Sequence, residues 1–449
     1  MIIIGIIVSI ILFSIIVLVH EGGHFSAARF FGVRVEEFGL GIPPRAKKLF
    51  RDKKGTLFTL NWLPIGGFVR LTGEIPNTFL VYNKKNELYN NEDLEKDIKG
   101  GKNIFVKGGI KIGENDKKKI LKKLKENKAS YNLMNKPSWQ QAIIILAGVF
   151  MNFLLASIIF GILFFTGIKP IGINTKIETD LNLRLIPTYE QALESGLLLK
   201  NKGILLSPVE GSIAEIAGIK QGDILLDING IQINTPEKMI DIISNNAGKK
   251  VEFKINTLYE GSNIEEKESR IISINIFIPK EGKIGAYISE NITLNTEFEY
   301  KFSALKSAKY GISETYNQTL LTFKGLGILV KKIFNPETPE ERTEALSQVR
   351  GPVGIVDFIS NSLEGGFTFL VVIGAIISIN LGVFNLLPIP ALDGGRFLFI
   401  TINSLVKKIF GKKAISEKTE GIIHVGFFIF LIALSLLIAY NDINTIILR

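Results

Sequence analysis

The sequence predicts a polytopic α-helical membrane protein, with four transmembrane helices and an α+β domain inserted between the second and the third. Three observations predict it. Apolar residues make up 46% of the 449-residue chain while charged residues still reach 21%, which fits if the apolar residues gather in spans and the charges in loops. Four stretches approach the roughly 20 apolar residues needed to cross the hydrocarbon of a bilayer. Residues 200–280, between the second and third of them, instead alternate strand-like runs with turns.

Residues 1–31 are the first span, interrupted only by His20, Glu21, His24 and Arg29. No basic segment precedes it and apolar residues continue past the histidines, so a retained helix is expected rather than a cleaved signal. Residues 32–75 read as short strands and turns, with "LFTLNWLPIGGFVRLTGE" as a hairpin. Residues 76–136 are a polar insertion with one charged helix, "DKKKILKKLKENK", whose charges suit a solvated face. Residues 137–168 contain no charge and form the second span.

In residues 200–280 the order is strand, short helix, "GD" turn, strand, "NG" turn, strand, helix, strand. That order resembles a PDZ domain. The resemblance implies a groove that takes an extended peptide, or its C-terminus, as an added strand. Lys202-Gly203-Ile204-Leu205 is where its carboxylate-binding loop is expected.

Residues 300–366 mix apolar residues with Lys306, Lys309, Lys324 and the Lys331-Lys332 pair, as amphipathic helices on a membrane surface do. Gly351-Pro352 breaks the chain before a short helix that enters the third span, residues 367–392. Residues 421–441 are the fourth span, with His424 its one ionisable group.

Lysine and arginine set the orientation. "PRAKKLFRDKKG" after the first span and "KKIFGKK" before the fourth are expected on the cytoplasmic side. Both termini and the inserted domain then lie outside the cytoplasm, in a multi-pass membrane protein. The net charge of +10 belongs with these loops; no run interleaves basic and aromatic residues, so no nucleic-acid partner is expected. Zero cysteines exclude disulfides and thiolate ligands, leaving His, Asp and Glu for any metal.

"HEGGH" at 20–24 is a metal pattern inside lipid-length sequence. Residues i and i+4 share a helix face, so His20 and His24 can hold one zinc ion, while Glu21 can take a proton from a water that the ion polarises. An intramembrane Glu is costly enough to be a functional hypothesis by default. Gly22 and Gly23 each cost about 1 kcal/mol of helix propensity, so room for a substrate backbone or close helix packing should require them. A catalytic zinc wants a third protein ligand. Asp393 and His424 are the options. Asp393 has the stronger setting, because Pro388 and Pro390 must break the helix before it, and irregular backbone at membrane depth belongs where protein buries it or a wet cavity adjoins it.

Together, "HEGGH" and "NLLPIPALDGG" resemble the motifs of the site-2 proteases, the intramembrane zinc metalloproteases, and with the PDZ-like domain the nearest type is the bacterial regulator-of-sigma-E protease. "GGFVRLTGE" (66–74) resembles that family's membrane-associated β-hairpin, and "AGVFMNFLLA" is similar to its second-span segment, with Val149 in place of a proline. "GPVGIV" also fits. The resemblance implies His20, His24 and Asp393 as zinc ligands, Glu21 as general base, and Asn385 and Asn380 as contacts to the substrate backbone. It implies an endopeptidase that cuts the membrane segments of single-pass proteins, such as anti-sigma factors or remnant signal peptides. The competing expectations are a non-catalytic PDZ-bearing receptor or scaffold and a metal transporter; a transporter should show more intramembrane ionisable residues or paired repeats.

Overall fold

The computed structural model describes residues 2–74, 81–82, 91–102, 104–106, 112–175, 177–260, 267–411 and 414–447. It divides into two units: Met1–Ile171, Ile177–Leu183 and Tyr300–Arg449 make the first, Gly172–Lys176 and Arg184–Glu299 the second.

The first unit begins with α1 (Ile2–Phe30), long and apolar enough to cross a membrane. Where serines interrupt it they stay helical by bonding back one turn: Ser9 Oγ donates to the Gly5 carbonyl at 2.7 Å. β1 (Val35–Arg51) and β2 (Leu57–Leu71) follow, and they do not form the hairpin expected within 57–74. Phe38 of β1 pairs with both Val69 and Phe58 of β2. The first half of β1 is therefore sandwiched between the two halves of β2, which bends at Gly66 with φ +72°. A period-two pattern marks a strand but not its partner, and here a glycine bend, not a tight turn, reverses the direction of pairing. Inside the curl, Glu37 accepts from Arg45 Nη2 at 2.6 and 2.7 Å and from Thr59 Oγ1 at 2.9 Å. Burial works to raise the Glu37 pKa, but those bonds and the Arg45 charge outweigh it and hold the carboxyl below its usual range.

The 76–136 insertion falls partly outside the described residues. Within them, β3 (Val81–Tyr82), α2 (Asn91–Lys99), β4 (Phe105–Val106) and α3 (Glu114–Lys128) appear, with β3 paired to β4. Leu94, Ile98, Ile104, Ile112, Ile120 and Leu124 give this small module its own core. α4 (Ser138–Thr166) is the second spanning helix and the packing centre of the unit, with Phe160 and Phe164 fully buried on it.

The second unit contains α5 (Tyr189–Ser195), β5 (Leu198–Pro208), α6 (Ile213–Ile216), β6 (Asp223–Ile228), β7 (Ile231–Gln232), α7 (Pro236–Asn245), β8 (Lys250–Glu260), β9 (Lys267–Phe277) and β10 (Ala286–Leu294). From β5 to β8 the order is the one read from the sequence. The unit extends past 200–280 at both ends, however, because β10 lies beyond 280 and pairs with β5. The sheet order is β10-β5-β6-β8-β9, with β7 on β6. Ile204, Leu205 and Leu206 thus pair with β10 on one side and β6 on the other. That corrects the expectation of a carboxylate-binding loop at Lys202–Leu205: no strand can be added where both edges of Ile204 and Leu205 are already taken. Ile204, Leu206, Leu225, Ile228, Phe253 and Ile255 form the core of the unit.

Returning to the first unit, α8 (Ala304–Phe334) lies along α4, with Gly311 against Ser157 and Gly161 and Thr315 bonded to Ser157 at 3.0 Å. Its buried residues are Ser307, Gly311, Glu314, Thr315, Asn317 and Gln318, while Leu305, Ile312, Tyr316 and Phe334 face outward. The polar face turns toward protein and the apolar face away from it, the reverse of a helix on a water-soluble core. α9 (Pro339–Gln348) and α10 (Pro352–Ser362) lead to α11 (Gly366–Leu386). α10 and α11 together form the third candidate span, Pro352–Leu386, so this span begins and ends earlier than residues 367–392. The chain leaves helix before Pro388, as the two prolines require. Asp393 is therefore not the end of the third span; it opens the next helix, α12 (Asp393–Phe410). α13 (Glu417–Ile447) contains the fourth span, Thr419–Thr445.

Candidate metal centre

Three lone-pair atoms meet between α1 and α12. His20 and His24 stand one turn apart on α1, with their Nε2 atoms 3.2 Å from each other. Asp393 Oδ2, from the first residue of α12, lies 3.0 Å from the first and 3.3 Å from the second. Ligand atoms about 2.0–2.2 Å from a tetrahedral zinc stand about 3.3 Å from one another, so the triangle has the dimensions of three zinc vertices. Asp393 Oδ2 is buried and makes no hydrogen bond of adequate direction despite two nitrogens within reach, which is the state of an oxygen kept for a cation. Among the described residues this is the one cluster of three or more His, Asp and Glu with such spacing.

Each member is held from behind. His24 Nδ1 donates to the Ile144 carbonyl of α4 at 2.9 Å, which leaves its Nε2 lone pair for an ion. His20 Nδ1 faces the Asn152 amide, also on α4, at 3.2 Å. Asn152 is fully buried, and its backbone carbonyl accepts from Ser378 Oγ of α11 at 2.9 Å. α1 can come this close to α4 because of two glycines. A Cβ on Gly23 would lie 2.3 Å from the Ala147 carbonyl oxygen, and one on Gly148 would lie 2.5 Å from His24 Nε2. Gly23 therefore serves helix packing, Gly148 leaves room for the imidazoles, and Gly22 faces open space. At Asp393 the helix N-terminus itself favours a carboxylate. The turn before it folds tightly enough that a Cβ on Gly394 would meet the Leu387 carbonyl at 2.3 Å.

Glu21 Oε2 accepts from the Val69 N–H of β2 at 2.9 Å. It lines a cavity of about 320 Å³ with His20, His24, Asn385 and Asp393. A larger cavity of about 990 Å³ adjoins it through Glu74, Asp393 and Arg396, and runs between the start of α4 and helices α12 and α13. Arg396 donates to Glu74 Oε1 at 2.6 Å and to the Glu74 carbonyl at 2.9 Å, pinning the end of β2 beside Asp393.

The structure thus brings together His20, Glu21, His24, Asn385 and Asp393. Asn380 goes elsewhere: its Oδ1 accepts from Thr322 Oγ1 of α8 at 3.1 Å, a helix–helix contact. His424 does not join the triangle; its Nδ1 accepts from the Ala391 N–H at 2.7 Å. Sequence reasoning missed Asn152, Gly148, Glu74 and Arg396. The signal for Asn152 was its position, an amide well inside an uncharged spanning stretch, beyond Gln140 and Gln141 at its start, where a polar group is retained only with a partner.

The peptidase family M50 model matches residues 8–434. The chain is 30% identical to the zinc metalloprotease RasP of Oceanobacillus iheyensis, over 98% of each chain. It is 28% identical to the regulator of sigma-W protease RasP of Bacillus subtilis and 29% identical to the probable protease eep of Enterococcus faecalis, again over 98% of each.

Proposed function

This chain belongs to peptidase family M50, the site-2 proteases, and is a zinc metalloprotease, and we propose from that premise that His20, His24 and Asp393 hold its zinc while Glu21 acts as general base. The observation that carries the assignment is the triangle of 3.0, 3.2 and 3.3 Å between the three donor atoms. Zinc, when bound there, supplies a Lewis acid that brings the pKa of a water to about 7. The Glu21 carboxylate takes that water's proton and later gives it to the departing amine of the peptide. An Nε2 ligand carries its proton on Nδ1, so Asn152, whose Oδ1 is buried without a partner, would turn that oxygen to His20. Asn385, on the wall of the same cavity, would hold the substrate backbone.

The substrates in this reading are transmembrane segments of single-pass proteins, anti-sigma factors or remnant signal peptides among them. The Bacillus subtilis relative's name ties that protein to sigma-W regulation. A helical peptide bond must be unwound before it is cut, and the second half of β2 supports this, because its outer edge faces Glu21. A substrate strand added there would compete for the Val69 N–H and so free the Glu21 carboxylate as it docks. The lysines and arginines after α1 and along the end of α12 support an inner-membrane orientation with both termini and the second unit outside the cytoplasm. That unit, read as a PDZ domain, would filter substrates by size or bind a new C-terminus. The edges available to a peptide are those of the terminal strands β10 and β9, since β5 is interior.

Glu21→Gln tests the catalytic assignment. The variant should abolish cleavage of a single-span reporter while keeping bound zinc. Undiminished cleavage would remove Glu21 from the role of base. Zinc retained without any cleavage in the wild type would favour a receptor or scaffold.

A further inference from the structure

Two residues before Asp393 the backbone takes a shape that side-chain-bearing residues avoid: Ala391 has φ +79°. Something must hold it there. Its N–H donates to His424 Nδ1 at 2.7 Å, a bond that reaches across from α13. The same imidazole packs edge-on against Phe399 of α12, with ring centroids 5.3 Å apart at 62°. His424 therefore grips both the turn that delivers Asp393 and the helix that Asp393 begins. An acceptor is needed at this point, since an apolar side chain would leave the Ala391 N–H unsatisfied and the strained φ unsupported. Nδ1 accepts, so the ring proton sits on Nε2, which faces Glu420 at 3.8 Å.

We propose that His424 is a positioning residue for the metal site. It holds the turn ahead of Asp393 so that Oδ2 meets the two imidazoles, and it touches neither zinc nor substrate. A fourth helix is thereby tied to a centre whose ligands come from α1 and α12. The inference rests on the assignment of His20, His24 and Asp393 as the zinc ligands.

The test is zinc retention by the purified full-length protein in detergent, measured by competition with a chelator and set beside the thermal midpoint of the zinc-free protein. His424→Leu should hold zinc about ten- to a hundredfold less tightly, the usual cost of losing an outer-shell partner. His424→Asn, whose Oδ1 can occupy the place of Nδ1, should restore most of the affinity. The zinc-free midpoint of His424→Leu should fall as well, because the Ala391 N–H loses its acceptor, but the loss of zinc affinity beside it is a change that a purely structural role for the ring would not produce. His20→Ala should lose zinc altogether. Should His424→Leu fail to fold, His424→Met replaces it as the apolar variant. Wild-type affinity in the apolar variant, with zinc lost in His20→Ala, overturns the inference and leaves the site intact. Zinc retained in His20→Ala overturns the site assignment instead. A zinc-free midpoint that falls in the apolar variant but not in His424→Asn, with no change in affinity, assigns the ring to packing alone.

Discussion

α4 and α13 are both apolar enough to cross a membrane and nearly equal in length, yet they are built into the molecule in opposite ways. More than a third of the most apolar stretch of α4 is buried, and none of that of α13. α4 is held along its length: Ile144 and Asn152 back the two imidazoles, and Ser157 and Gly161 receive α8. α13 is held by polar contacts near its ends: His424 takes the Ala391 N–H, and Asp442 takes the N–H groups of Gly351 and Gly354. The difference follows from the solvent. Lipid gives one apolar helix no hydrophobic reason to pack on another, so close small residues and hydrogen bonds decide which helices become central.

The largest expected effect is at the centre of α4. Asn152→Ala leaves the His20 ring without its partner and should weaken zinc binding about ten- to a hundredfold, read by chelator competition. Unchanged affinity would reduce α4 to a scaffold and erase the contrast in function with α13. The contrast in packing is sharpened by a pair of truncations. Phe160 is fully buried on α4, and Leu437 on α13 is 66% exposed. In lipid the transfer contribution largely drops out and the cavity remains, so the roughly 100 Å³ removed by Phe160→Ala should cost about 2 kcal/mol at ~24 cal/mol per Å³. Leu437→Ala should change stability by less than about 0.5 kcal/mol, as surface substitutions do. Denaturation in mixed micelles measures both, and equal losses would mean that α13 is packed like α4.

These contrasts explain what was legible in the sequence. The His20/His24 pair is local: a spacing of four on a helix fixes the shared face whatever the rest of the chain does. Asp393 was legible through its broken helix, since Pro388 and Pro390 can only be tolerated at a special place. The pairing of β1 with β2 was not, because alternation locates a strand without naming its partner. The same limit hid the partner of β5 in the second unit, where β10 comes from beyond the expected boundary and puts β5 inside the sheet. α8 shows a subtler limit. Its pattern is amphipathic, but periodicity does not say which face turns inward, and here Glu314, Thr315 and Gln318 do. Asn152 lay in plain view without an assigned role and His424 was considered only as a ligand, because the worth of each depends on an atom contributed by a distant segment.

A smaller loss than that at Phe160 separates the two ends of α13. The N-cap of α10 is Gly351, which has no side chain to cap the first turn. Asp442 supplies the missing acceptor from the far end of the chain, its Oδ2 receiving the Gly351 and Gly354 N–H groups at 2.9 and 2.8 Å. Its carboxylate also meets the positive end of the α10 dipole. Asp442→Ala should therefore cost about 1 kcal/mol, the usual value of an N-cap, in the same micelle denaturation. His424 and Asp442 are roughly 27 Å apart along a helix rising about 1.5 Å per residue. Zinc affinity should consequently stay at the wild-type level in Asp442→Ala, even though both residues belong to one helix. A loss of zinc in this variant would mean that α13 acts on the metal turn as a rigid whole, rather than through the one imidazole that reaches Ala391.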